Sequence, residues 1–152
     1  MDPALITHYF GSKQRLFVEV TQLPLDPELV VAEVIEGPRE DVGRRLAHLV
    51  LGVLESPEGR ERVTGLVRSA ASEPAAAALL RQLLETRLVG PVAAAVGSDR
   101  AELRATLLGT QMVGLVMARY VVGVEPLAST DAGEVAAAIA PVLQHYLTEP
   151  LF

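Results

Sequence analysis

From residue 25 onward, apolar residues recur at the three- and four-residue spacing of an amphipathic helix. No segment alternates apolar and polar residues as a half-buried strand does. The clearest helical segment follows Pro38, and its apolar face consists of Val42, Leu46, Leu49, Val50, Val53 and Leu54. Proline and glycine separate the segments, because proline lacks an amide hydrogen and glycine readily ends a helix. The pattern therefore predicts an all-α fold.

Proline, glycine and capping residues also predict where the helices begin and end. Pro91 is expected to kink or divide the fourth segment, and Pro141 to kink the last one. Asp99 is expected to cap a helix after the stop at Gly97, and Asp131 to cap the last helix. The predicted helices run from about 27 to 36, 38 to 55, 58 to 72, 74 to 96 with the break at Pro91, 99 to 122 and 131 to 147.

The stretch Leu107–Val124 is long and apolar enough to be compared with a membrane span. Gln111 and Arg119 interrupt it, and charged residues flank it on the same helix. A helix that is apolar on nearly every side is also typical of one that is covered on nearly every side. We therefore expect no membrane contact, and we expect Arg119 to pair with an acidic group such as Glu125 or with a backbone carbonyl.

The last two predicted helices carry more apolar positions than one small domain is expected to cover. Two such helices from each of two subunits would form a four-helix bundle. The alternative is a monomer in which both helices are ordinary core. The residues expected at the homodimer interface are Val113, Val116, Val121, Val135, Ile139, Val142 and Tyr146.

The capping and helix-ending residues near the start of the sequence predict a short helix, a tight turn and a longer helix. Asp2 is a suitable cap and Pro3 a suitable first residue for a helix that extends to residue 9. Gly11 ends that helix and Ser12 caps the next one. Lys13 lies in the first turn, where its charge is unfavourable for the helix dipole, which favours an external anion such as a phosphate.

The run from Asp2 to Phe17, with its Tyr9-Phe10 pair and its Gly11-Ser12-Lys13 turn, resembles the end of the helix-turn-helix in the TetR family of bacterial transcriptional regulators. The resemblance implies a recognition helix that reads operator DNA. The DNA-binding residues that it implies are Ala4, Thr7, His8, Tyr9 and Lys13. The alternative is an ordinary helix-turn-helix at a domain edge, with a solvated lysine.

The resemblance also implies a division of the chain. Residues 1–24 would be a partial DNA-binding helix-turn-helix, and residues 25–152 a domain for ligand binding and dimerisation. In the family, two further helices precede the recognition helix, so we expect the first part of the DNA-binding domain to be missing here. A start codon placed too late, a truncated chain and a naturally short protein are alternative explanations.

In the family, a small molecule binds in a cavity of the helical domain. We expect a cavity for an unknown effector between the helices around residues 46 to 54, 63 to 71, 79 to 88 and 108 to 120. The alternative is that these residues are ordinary core. The predicted pocket residues are His48, Leu66, Leu83, Gln111, Met112 and Leu115.

Composition limits the other functions. The net charge is −6, and the four charged residues in 1–24 cancel, so all of it lies in residues 25–152. This argues against nucleic-acid binding over the whole surface. The chain has no cysteine, and its three histidines have no metal-binding spacing. We therefore expect no catalytic site, no metal and no cofactor, and a cytoplasmic protein.

Together these patterns predict an all-α, TetR-like transcriptional regulator that forms a homodimer. The resemblance implies a repressor that a small-molecule effector releases from DNA. The alternative is a helical ligand-binding or protein-interaction dimer that does not bind DNA, which the acidic charge favours.

Overall fold

The computed structural model describes residues 15, 17, 18, 21–23 and 25–152, and within them the chain forms helices and no strand. The helices are α1 (Pro27–Ile35), α2 (Val42–Glu55), α3 (Pro57–Ala70), α4 (Pro74–Arg87), α5 (Val89–Val96), α6 (Ala101–Leu115) and α7 (Ala132–Thr148). A 3-10 turn, Arg39–Asp41, precedes α2, and a π-helical segment, Val116–Val122, continues α6. The predicted all-α class is confirmed.

Several helix starts follow the local sequence signals. Asp26, Ser56 and Asp131 each accept a hydrogen bond from a backbone N–H in the first turn of the next helix, at 3.0, 3.1 and 3.0 Å. Pro27 and Pro57 occupy the first positions of α1 and α3, where no amide hydrogen is needed. The predicted cap at Asp131 is confirmed.

The boundaries around α5 differ in part from the prediction. Pro91 lies in the first turn of α5, so it marks a division between helices and not a kink within one. Gly97 ends α5 in the left-handed conformation, with φ of 78°. The predicted cap at Asp99 is wrong, because α6 begins two residues later and the Asp99 carboxylate instead pairs with Arg104 at 2.6 Å.

The centre of the fold is the close packing of α2 along α7. Gly43 permits this approach, since a Cβ atom there would lie 2.5 Å from the carbonyl oxygen of Ala140. The Gly43 amide donates to Oε1 of Gln144 at 2.7 Å, so a polar bond crosses the apolar seam. The most deeply buried core residues include Leu46, Leu54, Leu66, Leu108, Leu143 and Leu147.

Arg104 joins the start of α6 to the end of α7. Arg104 is 3% exposed, and its buried guanidinium forms several hydrogen bonds within the fold. Nε donates to the carbonyl of Asp99 at 2.6 Å, and Nη1 donates to the carbonyls of Tyr146 and Glu149 at 2.7 and 2.8 Å. The two bonds from Nη1 satisfy carbonyls at the end of α7, where a helix leaves its last carbonyls without an intrahelical partner.

The continuous helix Ala101–Val122 is long and apolar enough to cross a membrane by length and composition. One such helix is weak support for a span, because the core helix of a folded domain passes the same test. Here the helix packs against α5, and it carries the buried Arg104.

Arg119, in the π-helical segment, is a second buried arginine, with 7% of its side chain exposed. Nη1 donates to the carbonyls of Leu127 and Thr130 at 2.5 and 2.7 Å, which agrees with the expected carbonyl pairing. The acidic partner is Glu55, whose Oε1 accepts from Nη2 at 3.0 Å. Glu125 instead accepts a hydrogen bond from the hydroxyl of Ser129.

Glu55 is the acceptor on which this cluster converges. The hydroxyl of Tyr120 donates to the same Oε1 at 2.9 Å, and Nη2 of Arg60 donates to Oε2 at 3.3 Å. Burial alone would raise the pKa of the Glu55 carboxyl, but the hydrogen bonds from Arg119 and Tyr120 outweigh it and hold the pKa below its ordinary value. The cluster therefore stabilises the end of α2 against the π-helical segment and the loop that leads to α7.

We predict that Glu55→Gln lowers the free energy of unfolding by about 1–3 kcal/mol at neutral pH, because Arg119 stays buried without its carboxylate. Folding lowers the pKa of the Glu55 carboxyl below its ordinary value of 4.5. The stabilisation by Glu55 is therefore present above pH 4.5 and is lost as the pH falls through the lower pKa of the folded protein. The unfolding free energy of the variant should accordingly depend less on pH in that acid range. Urea denaturation at neutral and acid pH measures both effects.

Glu58→Gln is the matched control for this substitution. Glu58 is exposed in the first turn of α3. Its replacement should change the free energy of unfolding by no more than about 0.5 kcal/mol. The assignment would be contradicted by a Glu55→Gln protein as stable as the unmodified chain at neutral pH.

Candidate ligand-binding groove

A small cavity lies inside the helical domain, at the position where we expected an effector site. Apolar side chains of Leu25, α2, α3, α4, α6 and the π-helical segment line it. Its volume is about 50 Å³, room for no more than a few water molecules. In this conformation the cavity is therefore too small for an organic effector.

The structure brings some of the predicted pocket residues to this cavity. Leu83 and Met112 line it. The exposed His48 lies on the face of α2 opposite the buried positions, so helical periodicity directs it to solvent. The predicted residues that do not line the cavity are His48, the buried Leu66 and Leu115, and the partly buried Gln111.

A much larger groove, of about 1050 Å³, opens between α4, α5 and α6. Its volume suits a drug-sized molecule. We call it the α4–α6 groove. Much of its lining consists of small residues, namely Gly90, Ala94, Ala101, Ala105, Gly109 and Gly114.

The glycines of α6 keep the α4–α6 groove open. A Cβ atom at Gly109 would meet only Leu84 Cδ1, at 3.5 Å, and one at Gly114 would meet nothing within 4 Å. Packing within the chain therefore does not require glycine at either position. Glycine inside a helix costs about 1 kcal/mol relative to alanine. The space above both residues is thus available to a molecule that approaches the helix backbone closely.

Leu84 and Val113 line both the small cavity and the α4–α6 groove. Both side chains are partly buried. Together they form the wall that the two spaces share.

The polar side chains of the α4–α6 groove lie at exposed positions. They comprise Arg81 and Glu85 on α4, and Glu102, Thr106 and Thr110 on α6. Each threonine hydroxyl donates to the carbonyl three residues earlier in α6, at 2.7 Å for Thr106 and 2.6 Å for Thr110. These hydroxyls can therefore accept a hydrogen bond from a ligand, while their own protons are already engaged.

Helix α4 also holds the segment that precedes α1. Nε of Arg87 donates to the carbonyl of Leu25 at 2.8 Å, and Nη2 donates to the carbonyl of Leu23 at 3.1 Å. The side chains of both leucines are buried, at 3% and 4% exposure. A displacement of α4 would therefore be transmitted to Leu23 and Leu25 through two hydrogen bonds and the packing of both side chains.

The predicted DNA-binding residues, Ala4, Thr7, His8, Tyr9 and Lys13, lie outside the described residues. The predicted interface residues differ in how far the fold exposes them. Val116 and Val135 are buried in the core, at 3% exposure each, so a partner cannot cover them. Val142 is 41% exposed. The other four, Val113, Val121, Ile139 and Tyr146, are partly buried.

Within residues 25–152 and the few described before them, no three His, Cys, Asp or Glu residues are grouped to hold a metal ion. His48 and His145 are both exposed. The geometry thus offers an apolar groove and no metal-binding cluster in this part of the chain.

The signals for the groove were weak in the sequence. In the sequence, Gly109 and Gly114 are recognisable only as small residues that permit close backbone approach. Alanines that leave space cannot be told from alanines that promote helix formation until the helices are placed.

Comparison with known proteins gives the family. Residues 40–147 match the family described as tetracyclin repressor-like, C-terminal domain. No curated protein matches the chain significantly. A crystal structure of a TetR-family regulator from Streptomyces coelicolor A3 is 30% identical and superposes with a TM-score of 0.51, over 97% of this chain and 77% of that one. The chain therefore belongs to the TetR family of transcriptional regulators.

Proposed function

We propose that the protein is a repressor whose affinity for operator DNA is lowered by a small molecule bound in residues 25–152. The DNA-binding residues would lie in residues 1–24, in agreement with the resemblance of that segment to a recognition helix. Membership of the family supports a cytoplasmic, non-enzymatic regulator that acts as a homodimer.

The observation that carries this proposal is the double role of α4. Leu84 and Glu85 line the α4–α6 groove, and Arg87, on the same helix, holds the carbonyls of Leu23 and Leu25. A ligand that moves α4 would consequently move the segment leading to the helix-turn-helix. The small interior cavity, which Leu25 also lines, provides apolar space into which side chains can be displaced.

The energetics set one condition on the effector. A ligand shifts a two-state equilibrium only by the ratio of its affinities for the two states. The effector must therefore bind the DNA-released conformation more tightly than the DNA-bound one. A difference of about one hundredfold would correspond to an ordinary allosteric coupling free energy.

We predict that Arg87→Ala weakens operator binding by about five- to one-hundredfold without an effector, because Leu23 and Leu25 lose their hydrogen bonds to α4. The protein should carry its complete DNA-binding domain. The DNA should be a fragment that the unmodified protein selects from a random library, and fluorescence anisotropy measures the affinity. Arg68→Ala, at an exposed site in α3, is the control and should bind normally. A folded Arg87→Ala protein with normal operator affinity would refute this role of α4.

A second prediction distinguishes residues that contact DNA phosphates from residues that contact base edges. Lys13→Ala should weaken binding to all sequences about equally and make the salt dependence shallower, since a phosphate contact positions without specifying. His8→Ala should instead change the preferred sequence. Selection from a random library at two salt concentrations measures both effects. If the unmodified protein selects no sequence, the proposed repressor is ruled out in favour of a helical dimer that does not bind DNA.

A third prediction concerns the proposed dimer through α6 and α7. Val142 is exposed on α7 and makes a suitable interface residue, so Val142→Asp should give folded monomers by placing a charge in the seam. Ile139→Asp should give monomers or unfolded protein, because Ile139 also packs against the core. Glu58→Lys should leave assembly unchanged. Light scattering that finds the unmodified chain monomeric at roughly tens of micromolar would rule the dimer out.

A further inference from the structure

We infer that the α4–α6 groove binds a lipophilic cation: an organic molecule with an apolar body and a positively charged or hydrogen-bond-donating group. This inference rests on the proposed function in taking the groove as the effector site. It adds the chemical class of the ligand, which follows from the hydrogen-bonding groups of the lining.

The apolar part of the ligand is set by the groove surface. Leu84, Val89 and Val113 contribute its larger apolar side chains, and glycines and alanines form much of the rest. Such a lining removes apolar ligand surface from water. A volume of about 1050 Å³ holds a molecule with several rings.

The groove lining has more hydrogen-bond acceptors than donors, and this excess determines the polar group expected on the ligand. The hydroxyls of Thr106 and Thr110 already donate to α6 carbonyls, so toward a ligand they act as acceptors. Glu85 and Glu102 add two carboxylates, and neither forms a hydrogen bond or ion pair with the part of the chain that the structure describes. Arg81 is the donor side chain among the lining residues that the structure describes.

The excess of acceptors and carboxylates favours a cationic ligand over an anionic one. A cation is attracted by two carboxylates and two hydroxyl acceptors and repelled by Arg81, whereas an anion of the same shape is repelled by the two carboxylates and attracted by Arg81. The charged side chains of the lining sum to −1, which favours the cation. Because the carboxylates are exposed, each interaction is screened and modest. The expected preference for the cation is therefore on the order of tenfold.

The test uses two ions of the same shape and opposite charge, tetraphenylphosphonium and tetraphenylborate. Isothermal titration calorimetry with the full chain should show the phosphonium binding roughly tenfold more tightly than the borate. Glu85→Gln/Glu102→Gln should remove most of this preference and retain the apolar part of the affinity. Glu33→Gln/Glu36→Gln, with two exposed acids on and just after α1, changes the net charge equally and should retain the preference.

Three results would overturn the inference. The first is equal or tighter binding of the borate. The second is a preference for the phosphonium that survives Glu85→Gln/Glu102→Gln. The third is binding of neither ion together with conversion of dimers to monomers by Gly109→Leu, which would mean that a second copy of the chain occupies the groove.

The ligand class and the regulatory role fail in different ways. If tetraphenylphosphonium binds with the predicted charge dependence but leaves operator affinity unchanged, the ligand class holds and the effector role of the groove does not. If the protein binds a selected operator but neither ion, it remains a regulator and the inferred ligand class is wrong.

Discussion

The close approach of α2 to α7 is the contact on which the rest of this domain depends. Gly43 allows the two helix backbones to meet, and the bond from its amide to Gln144 holds them in one register. With α7 fixed in this way, the remaining face of α2 is directed to α1 and α3. The π-helical segment then closes over the end of α2 through Arg119 and Glu55. The groove lies away from this seam, on a side of the molecule where small residues leave the helices apart.

Much of the fold was predictable because helical periodicity and helix punctuation are local signals. The spacing of Val42, Leu46 and Val50 defines the inward face of α2 without knowledge of its partners, and Asp131 caps α7 as its position indicates. The error at Asp99 has a tertiary cause. Arg104 is buried against the end of α7 and requires the Asp99 carboxylate, so that group is not available to cap α6.

The site was less predictable, because a cavity is a property of the space between helices. Leu83 and Met112, two of the residues predicted for the effector pocket, line the small cavity, whereas His48, also predicted there, is exposed. The open groove depends on side chains that are too small to fill it, and smallness has no periodic signature when alanine is also the best helix former. Glu55 was not recognised as the partner of Arg119, since 64 residues separate them in the chain.

The wall formed by Leu84 and Val113 has a consequence for which molecules the domain can distinguish. These two side chains separate the large groove from the small apolar cavity, and leucine changes rotamer readily compared with the β-branched valine. A short ligand would rest against the wall. A ligand with an apolar extension would rotate Leu84 aside and reach the space beside Leu83 and Met112, where methionine adapts to varied shapes. If the groove binds the proposed effector, such a site would measure the length of its ligand as well as its charge, and it would transmit a long ligand and a short one to α4 as different displacements.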